Sequence, residues 1–291
     1  MTCSASQWRI ILLICTFFRQ SFGLLLRDVG RAANETRFEL SLNVFPERYA
    51  KVEDLSQYSS QPTRLDLIKK LYLGRDPMDL FTNPKSLKFA GDLKWSNIGK
   101  FPSDACHLVN ISNATFMVEA GCYVGTSTKA WANCLKQKAN SGVVLAVDTW
   151  LGDLASWVEH LDTTSREVPD DVFRDGRSSL YDQFMLNMQE HHVLNVIPFP
   201  TTSIIAARWL ATMKYVPDLA YIDSAHEEGE TALELELYWS LLKQGGILAG
   251  DDYPDWPGVK HDLDEFVKRH GLRLQFAPSG TTWFIKKEPS L

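Results

Sequence analysis

Two short phrases concentrate the side chains able to do chemistry. Residues 221–230 read YIDSAHEEGE and residues 245–256 read GGILAGDDYPDW, each closing an apolar run. If those runs are neighbouring parallel strands, spaced about 4.8 Å apart, then Asp223, Asp251 and Asp252 converge. Three carboxylates that close push one another's pKa upward unless a cation lies between them. A hard divalent ion with oxygen ligands, Mg²⁺ or a similar cation, suits such a set. The plainer alternative is a row of solvated acids at loop starts, with Asp251 or Asp252 capping the next turn. His226, three residues past Asp223, lies beside the same edge. An imidazole there is placed to take a proton from a substrate hydroxyl; it also reads as a surface histidine ahead of a helix.

A third phrase, FMVEAGCYVGTST over residues 116–128, sets out Glu119, Gly121, Tyr123, Gly125 and Ser127. Glycines at a strand-to-helix turn let a ligand approach the backbone, and the unpaired amides of the next helix attract an anionic group. A tight turn with packing glycines accounts for the same spacing. Asp148 ends the following apolar run, where an acid is placed to bond ribose hydroxyls of a nucleoside cofactor. A nicotinamide enzyme fits poorly: the spacing is not Gly-x-Gly-x-x-Gly, and no tyrosine is followed four residues later by lysine.

These residues need a scaffold, and the apolar runs supply one. Phe116 to Glu119, Val143 to Asp148, Val193 to Phe199, Leu219 to Asp223 and Gly246 to Asp251 are continuous rather than alternating, as expected of parallel strands covered on both faces. Thr126 to Lys138, Ser178 to His191, Glu230 to Lys243 and Gly258 to His270 read as helices, the last ending at Gly271. Arg273 to Phe276 and Thr281 to Lys286 flank a Pro-Ser-Gly turn and read as an antiparallel hairpin. The expected fold is α/β, a doubly wound, Rossmann-like, mostly parallel sheet with a C-terminal antiparallel hairpin. Ligands in such sheets sit beyond the carboxyl ends of the strands, where the order reverses. Residues 24–114 read as an N-terminal helical cap or extension, with one amphipathic stretch from Thr63 to Leu73, and residues 115–291 as the chemistry-bearing domain. Leu151 to Arg177 is longer than a connection requires and reads either as a substrate-covering insertion, with Trp150, Trp157 and His160 as candidate contacts, or as a solvated surface excursion.

Composition agrees with a globular chain. It has 291 residues, 45% of them hydrophobic, enough to bury a sizeable core and too apolar for disorder. A net charge of −6 gives no footprint for gripping nucleic acid, so a small-molecule or glycan acceptor is expected. Homo-oligomerisation stays open. Residues 1–23 contain the short apolar run Trp8 to Phe18, followed by Ser21-Phe22-Gly23. The run reads as a signal peptide or as a signal-anchor tethering the chain to a membrane, which implies the secretory pathway; an organelle transit peptide, or a cytoplasmic chain, is the alternative. Asn34, Asn110 and Asn113 begin glycosylation triplets. Removing the leader leaves Cys106, Cys122 and Cys134, an odd number that argues against a full disulfide framework.

Taken together, the glycine turn, the acid at 148 and the Asp223, Asp251-Asp252 set resemble the class I methyltransferases that use S-adenosylmethionine. The resemblance is to the metal-dependent O-methyltransferases of the catechol and macrocin type and their cephalosporin-hydroxylase-like relatives, over about Phe116 to Lys286. It implies that the methionine carboxylate of the cofactor meets Gly121, Tyr123 and Ser127, that Glu119 and Gly125 of the same turn are also cofactor-binding, and that the ribose meets Asp148. It also implies that a metal meets Asp223, Asp251 and Asp252 and that His226 is the base. The catechol-type pattern has lysine in place of His226 and asparagine in place of Asp252, which brings the sugar-type branch closer. The implied activity is Mg²⁺-assisted O-methylation of a hydroxyl. A metal-independent methyltransferase using His226, and a non-catalytic binding module on the same scaffold, are the alternatives.

Overall fold

The computed structural model describes residues 58, 60–83, 101–138, 141–152, 173–174, 176–224 and 226–288. Helices α1 (Arg64–Tyr72), α2 (Pro77–Leu80) and α3 (Phe101–Ile111) precede strand β1 (Phe116–Ala120), helix α4 (Thr126–Lys138) and β2 (Val143–Asp148). A two-residue pair, β3 (Phe173–Arg174) and β4 (Arg177–Ser178), leads to α5 (Leu180–Glu190), β5 (Val196–Pro200) and α6 (Ser203–Met213). The chain closes with β6 (Leu219–Ile222), α7 (Glu230–Leu241), β7 (Ile247–Gly250), α8 (Pro257–His270), β8 (Gln275–Phe276) and β9 (Trp283–Lys286).

Seven strands form one sheet in the order β5-β2-β1-β6-β7-β9-β8, and the first five are parallel. Strand β9 runs antiparallel to both β7 and β8, so it alone is reversed. This is the expected doubly wound sheet with its terminal hairpin. Strand order reverses between β1 and β6, and the crevice at that point is where ligands of such sheets bind.

Alternate residues of each strand feed two cores, which is why the strands read as unbroken apolar runs. Met117, Val144 and Ala146 point toward Phe101, Trp131, Phe184 and Tyr221 on one face. Phe116, Val118, Val143, Leu145 and Val147 point toward Leu67, Leu210, Tyr238, Leu241 and Phe266 on the other. Pro198 and Pro200 lie in β5, an edge strand, where the missing N–H removes no central ladder bond.

Three features depart from the expected elements. Strand β5 starts three residues later than the apolar run suggests. Helix α6 does not stand out from hydrophobic spacing, because its apolar residues run nearly all round; its signal is the cap, with the Thr202 hydroxyl accepting from the Ile205 amide. The described part of the expected N-terminal extension is built into the domain. Leu67 and Ile68 of α1 enter one core and Phe101 and Leu108 of α3 the other, and the Tyr72 hydroxyl donates to the Pro198 carbonyl at 2.7 Å. No helix among the described residues is long and apolar enough to cross a membrane. The segment 1–23, Asn34, Trp157 and His160 lie outside the described residues.

A disulfide joins Cys106 of α3 to Cys134 of α4 across 28 residues, while Cys122 is a buried free thiol. Closing a loop of that length removes unfolded-state entropy worth about 3 to 4 kcal/mol. Reduction is therefore expected to lower the unfolding free energy by about that amount, read as a lower urea midpoint at similar slope. Equal midpoints with and without reductant would show that the bond carries no stability.

Candidate active site

The site is built where β1 and β6 end side by side. The Asp223 amide donates to the Ala120 carbonyl at 2.8 Å, and the Gly121 amide donates to the Val147 carbonyl at 2.9 Å, so three strand ends are locked together. Gly121 has φ +86°, and a Cβ there would lie 1.8 Å from the Asp223 carbonyl oxygen. Only glycine permits that approach. Gly125 faces the Met188 and Phe184 side chains in the same tight way. Backbone packing thus requires glycine at 121.

Asp148 organises the turn. Its Oδ2 accepts from the amides of Cys122 and Tyr123, each at 2.8 Å, and its Oδ1 accepts from the Trp150 amide at 2.7 Å. An ionised carboxylate offers about four acceptor positions, so Oδ1 retains capacity for one further hydroxyl. Tyr123 and Trp150 both adopt left-handed backbone conformations, φ 46° and 51°, and the Trp150 indole donates to the Tyr123 carbonyl at 2.7 Å. Left-handed non-glycine residues cost energy and persist where the surroundings hold them. Trp150 is 2% exposed and packs edge-on against Tyr181. It is therefore a brace for the turn and not the acceptor contact that its place beside the insertion suggested. Ser127 sits, partly exposed, in the first turn of α4.

On the β6 side, Asp223, His226 and Asp252 offer one ligand atom each within 4.8 Å of one another, a donor set that suits a metal ion. His226 Nε2 lies 2.9 Å from Asp252 Oδ2. Asp252 has φ 65°, and this left-handed turn carries it back toward Asp223. Asp251 falls outside that group. Its main-chain carbonyl accepts from the Trp283 indole at 2.9 Å, and its carboxyl is raised in pKa by burial and by the charge of Asp252. Of the expected metal set of Asp223, Asp251 and Asp252, the structure brings Asp223 and Asp252 together beside His226. Burial, followed by the charges of Asp252 and Asp251, holds the Asp223 carboxyl well above its ordinary value.

Residues 118–253, which hold all ten expected site residues, match a family model described as a methyltransferase domain. They form a methyltransferase domain. Several solved structures are similar to it. A calicheamicin methyltransferase gives a TM-score of 0.49 at 18% identity, covering 79% of this chain and 94% of that one. TomG, an O-methyltransferase from Streptomyces achromogenes solved in complex with SAM, gives 0.45 at 13% identity, covering 70% and 93%. An O-methyltransferase from Bacillus cereus in complex with SAH gives 0.42 at 14%, covering 80% and 96%. No curated protein matches the chain's sequence.

Side chains that spacing did not mark also shape the methyltransferase domain's edge. The Trp256 ring stacks on the His226 imidazole, centroids 4.4 Å apart and planes 16° from parallel, and is 37% exposed. Glu234, buried on α7, accepts from the hydroxyls of Ser203 and Ser224 and so ties the loop after Asp223 to two helices. The only sequence signal for Trp256 is an aromatic one residue before the proline that opens α8, and for Glu234 there is none, because its partners lie 31 and 10 residues away.

Glu119 lies beneath the glycine turn, fully buried, with neither carboxyl oxygen hydrogen-bonded. Burial pushes its pKa up to about 7; Ser127, Thr128 and Cys122 pull it back in part, and the Asp148 charge adds to the rise. A rise from 4.5 to about 7 separates the two protonation states by about 3 kcal/mol. The folded state binds this proton more tightly than the unfolded chain, so the contribution is fully present below pH 4.5 and is lost as pH climbs through 7. Glu119→Gln should therefore flatten the decline in unfolding free energy between pH 5 and 8 relative to the parent. Parallel pH profiles for the two proteins would show that Glu119 ionises normally.

Proposed function

We propose that this methyltransferase domain uses S-adenosylmethionine to methylate a hydroxyl on a sugar or other small molecule, with a divalent cation, Mg²⁺ or similar, assisting. The observation that carries the reading is the convergence of Asp223, His226 and Asp252 at the strand ends, beside the turn braced by Asp148. The surrounding charge is consistent with cationic occupants: Glu119, Asp148, Asp223, Asp251 and Asp252 all lie at this one edge. A sulfonium cofactor and a divalent cation both relieve that repulsion.

The residues suit the cofactor in two places. The remaining acceptor position of Asp148 Oδ1 suits a ribose hydroxyl, and the first turn of α4, with Ser127 and its unpaired amides, suits a carboxylate. S-Adenosylmethionine supplies an activated methyl group, whose transfer requires alignment and a deprotonated acceptor more than covalent help. A divalent cation held by Asp223 and Asp252 would supply Lewis acidity that lowers the pKa of a hydroxyl. His226 takes up the hydroxyl proton. The resulting imidazolium is stabilised by the Asp252 carboxylate and kept in orientation by the Trp256 ring. Carboxylate donors suit Mg²⁺.

The His226–Asp252 contact also favours a second reading, a metal-free transferase in which the carboxylate alone supports His226 as base. Methyl transfer to a panel of hydroxylated sugars and phenols, with and without chelator, separates the two. Asp252→Asn is expected to abolish stimulation by Mg²⁺ and lower turnover at least tenfold, whereas Asp251→Asn should stay within a few-fold of the parent. Activity indifferent to chelator, with Asp252→Asn still impaired, establishes the metal-free reading. Failure of calorimetric titration to detect S-adenosylmethionine or its demethylated product at millimolar concentration would leave a non-catalytic binding module.

A further inference from the structure

We infer that Asn113 carries an N-linked oligosaccharide and that the chain folds in an oxidising, glycosylating compartment. The inference stands independently of the reaction proposed above.

Two unrelated features point the same way. The first is the Cys106–Cys134 disulfide, whose Cα atoms are 4.9 Å apart. It staples two packed helices, and the remaining thiol among the described residues, Cys122, is buried and out of reach of exchange. A bond of this structural kind persists where thiols are not kept reduced. The second feature lies at the end of the same helix and just beyond it. Asn110-Ile111-Ser112 and Asn113-Ala114-Thr115 are both acceptor triplets, and both asparagines are exposed.

The two positions differ in setting. Asn110 belongs to the last turn of α3, and its carbonyl accepts from Lys138 at 3.2 Å. Asn113 stands beyond the helix in a left-handed turn, φ 54°. It lines an open cavity of about 370 Å³ with Ser112, Lys243 and Lys286, so none of the described elements packs over it. The Thr115 hydroxyl donates to Gln61 at 2.7 Å and also contacts Asp218, and the Thr115 amide donates to Asp218 as well. In the folded protein that hydroxyl is engaged, so transfer takes place before β1 docks. The Asn113 amide nitrogen bonds the anomeric carbon of an oligosaccharide, the bond from that carbon to its pyrophosphate carrier breaks, and the amide proton leaves. Asn113 lies at the amino ends of the strands, the opposite edge from Asp223 and Asp252, so a glycan there is remote from the site.

The test is expression of the full 291-residue chain, with its own N-terminal segment, in animal cells, followed by treatment with an N-glycan-releasing amidase and peptide mass analysis. A parallel sample carries a secretory leader of established function. Expected are a mass loss on treatment, aspartate at position 113 in the released peptide, and Cys106 and Cys134 alkylated only after reduction. Asn113→Asp, which tolerates the left-handed turn, should abolish the mass loss and leave methyl transfer unchanged. An unmodified native chain whose Cys106 and Cys134 alkylate without reductant overturns the compartment. A glycan retained in Asn113→Asp but lost in Ser112→Ala overturns the site, as does an unmodified Asn113 behind the secretory leader.

Discussion

The close contact between the main chains of Gly121 and Asp223 is the constraint on which the site depends. It lies at the point where strand order reverses, between β1 and β6, and no side chain fits between the two segments. Because Gly121 allows the approach, the turn after β1 and the loop after β6 share one wall. The residues of the glycine turn and the carboxylate cluster are thereby held in register. A bulkier residue at 121 would push apart two segments that must act together.

That proximity has an electrostatic cost. Glu119, Asp148, Asp223, Asp251 and Asp252 are gathered at one edge, and burial, followed by neighbouring carboxylate charges, raises the pKa values of Glu119, Asp223 and Asp251. The fold meets this locally in two ways. Asp148 spends its charge on three backbone amides, which also fixes the left-handed conformations of Tyr123 and Trp150. Asp252 turns toward His226. Asp223 and Glu119 keep elevated proton affinity, the condition expected of groups that function beside a cation or as neutral acids.

Much of this was legible in residue order. Continuous apolar runs marked the five parallel strands, and the Pro-Ser-Gly turn marked the hairpin, because burial on both faces and turn chemistry are local demands. Asp223 and His226 stood out for the same reason, three residues apart at a strand end. Helix α6 was harder, since a helix apolar nearly all round carries little periodicity. The stacking of Trp256 on His226 and the bonds from Ser203 and Ser224 to Glu234 join residues far apart in sequence, and periodicity carries no information about such pairs.

The sequence by itself determined the architecture and the inventory of reactive groups, because both follow from local patterns of burial and residue type. Tertiary structure alone decided how that inventory is used. The left-handed turn at Asp252 brings it, and not Asp251, to Asp223 and His226. The packing of Asp223 against Gly121 leaves no room for a side chain there, and the crossing of α3 over α4 pairs Cys106 with Cys134. Each outcome depends on backbone direction and distance between separate segments, which exist only once the sheet has formed.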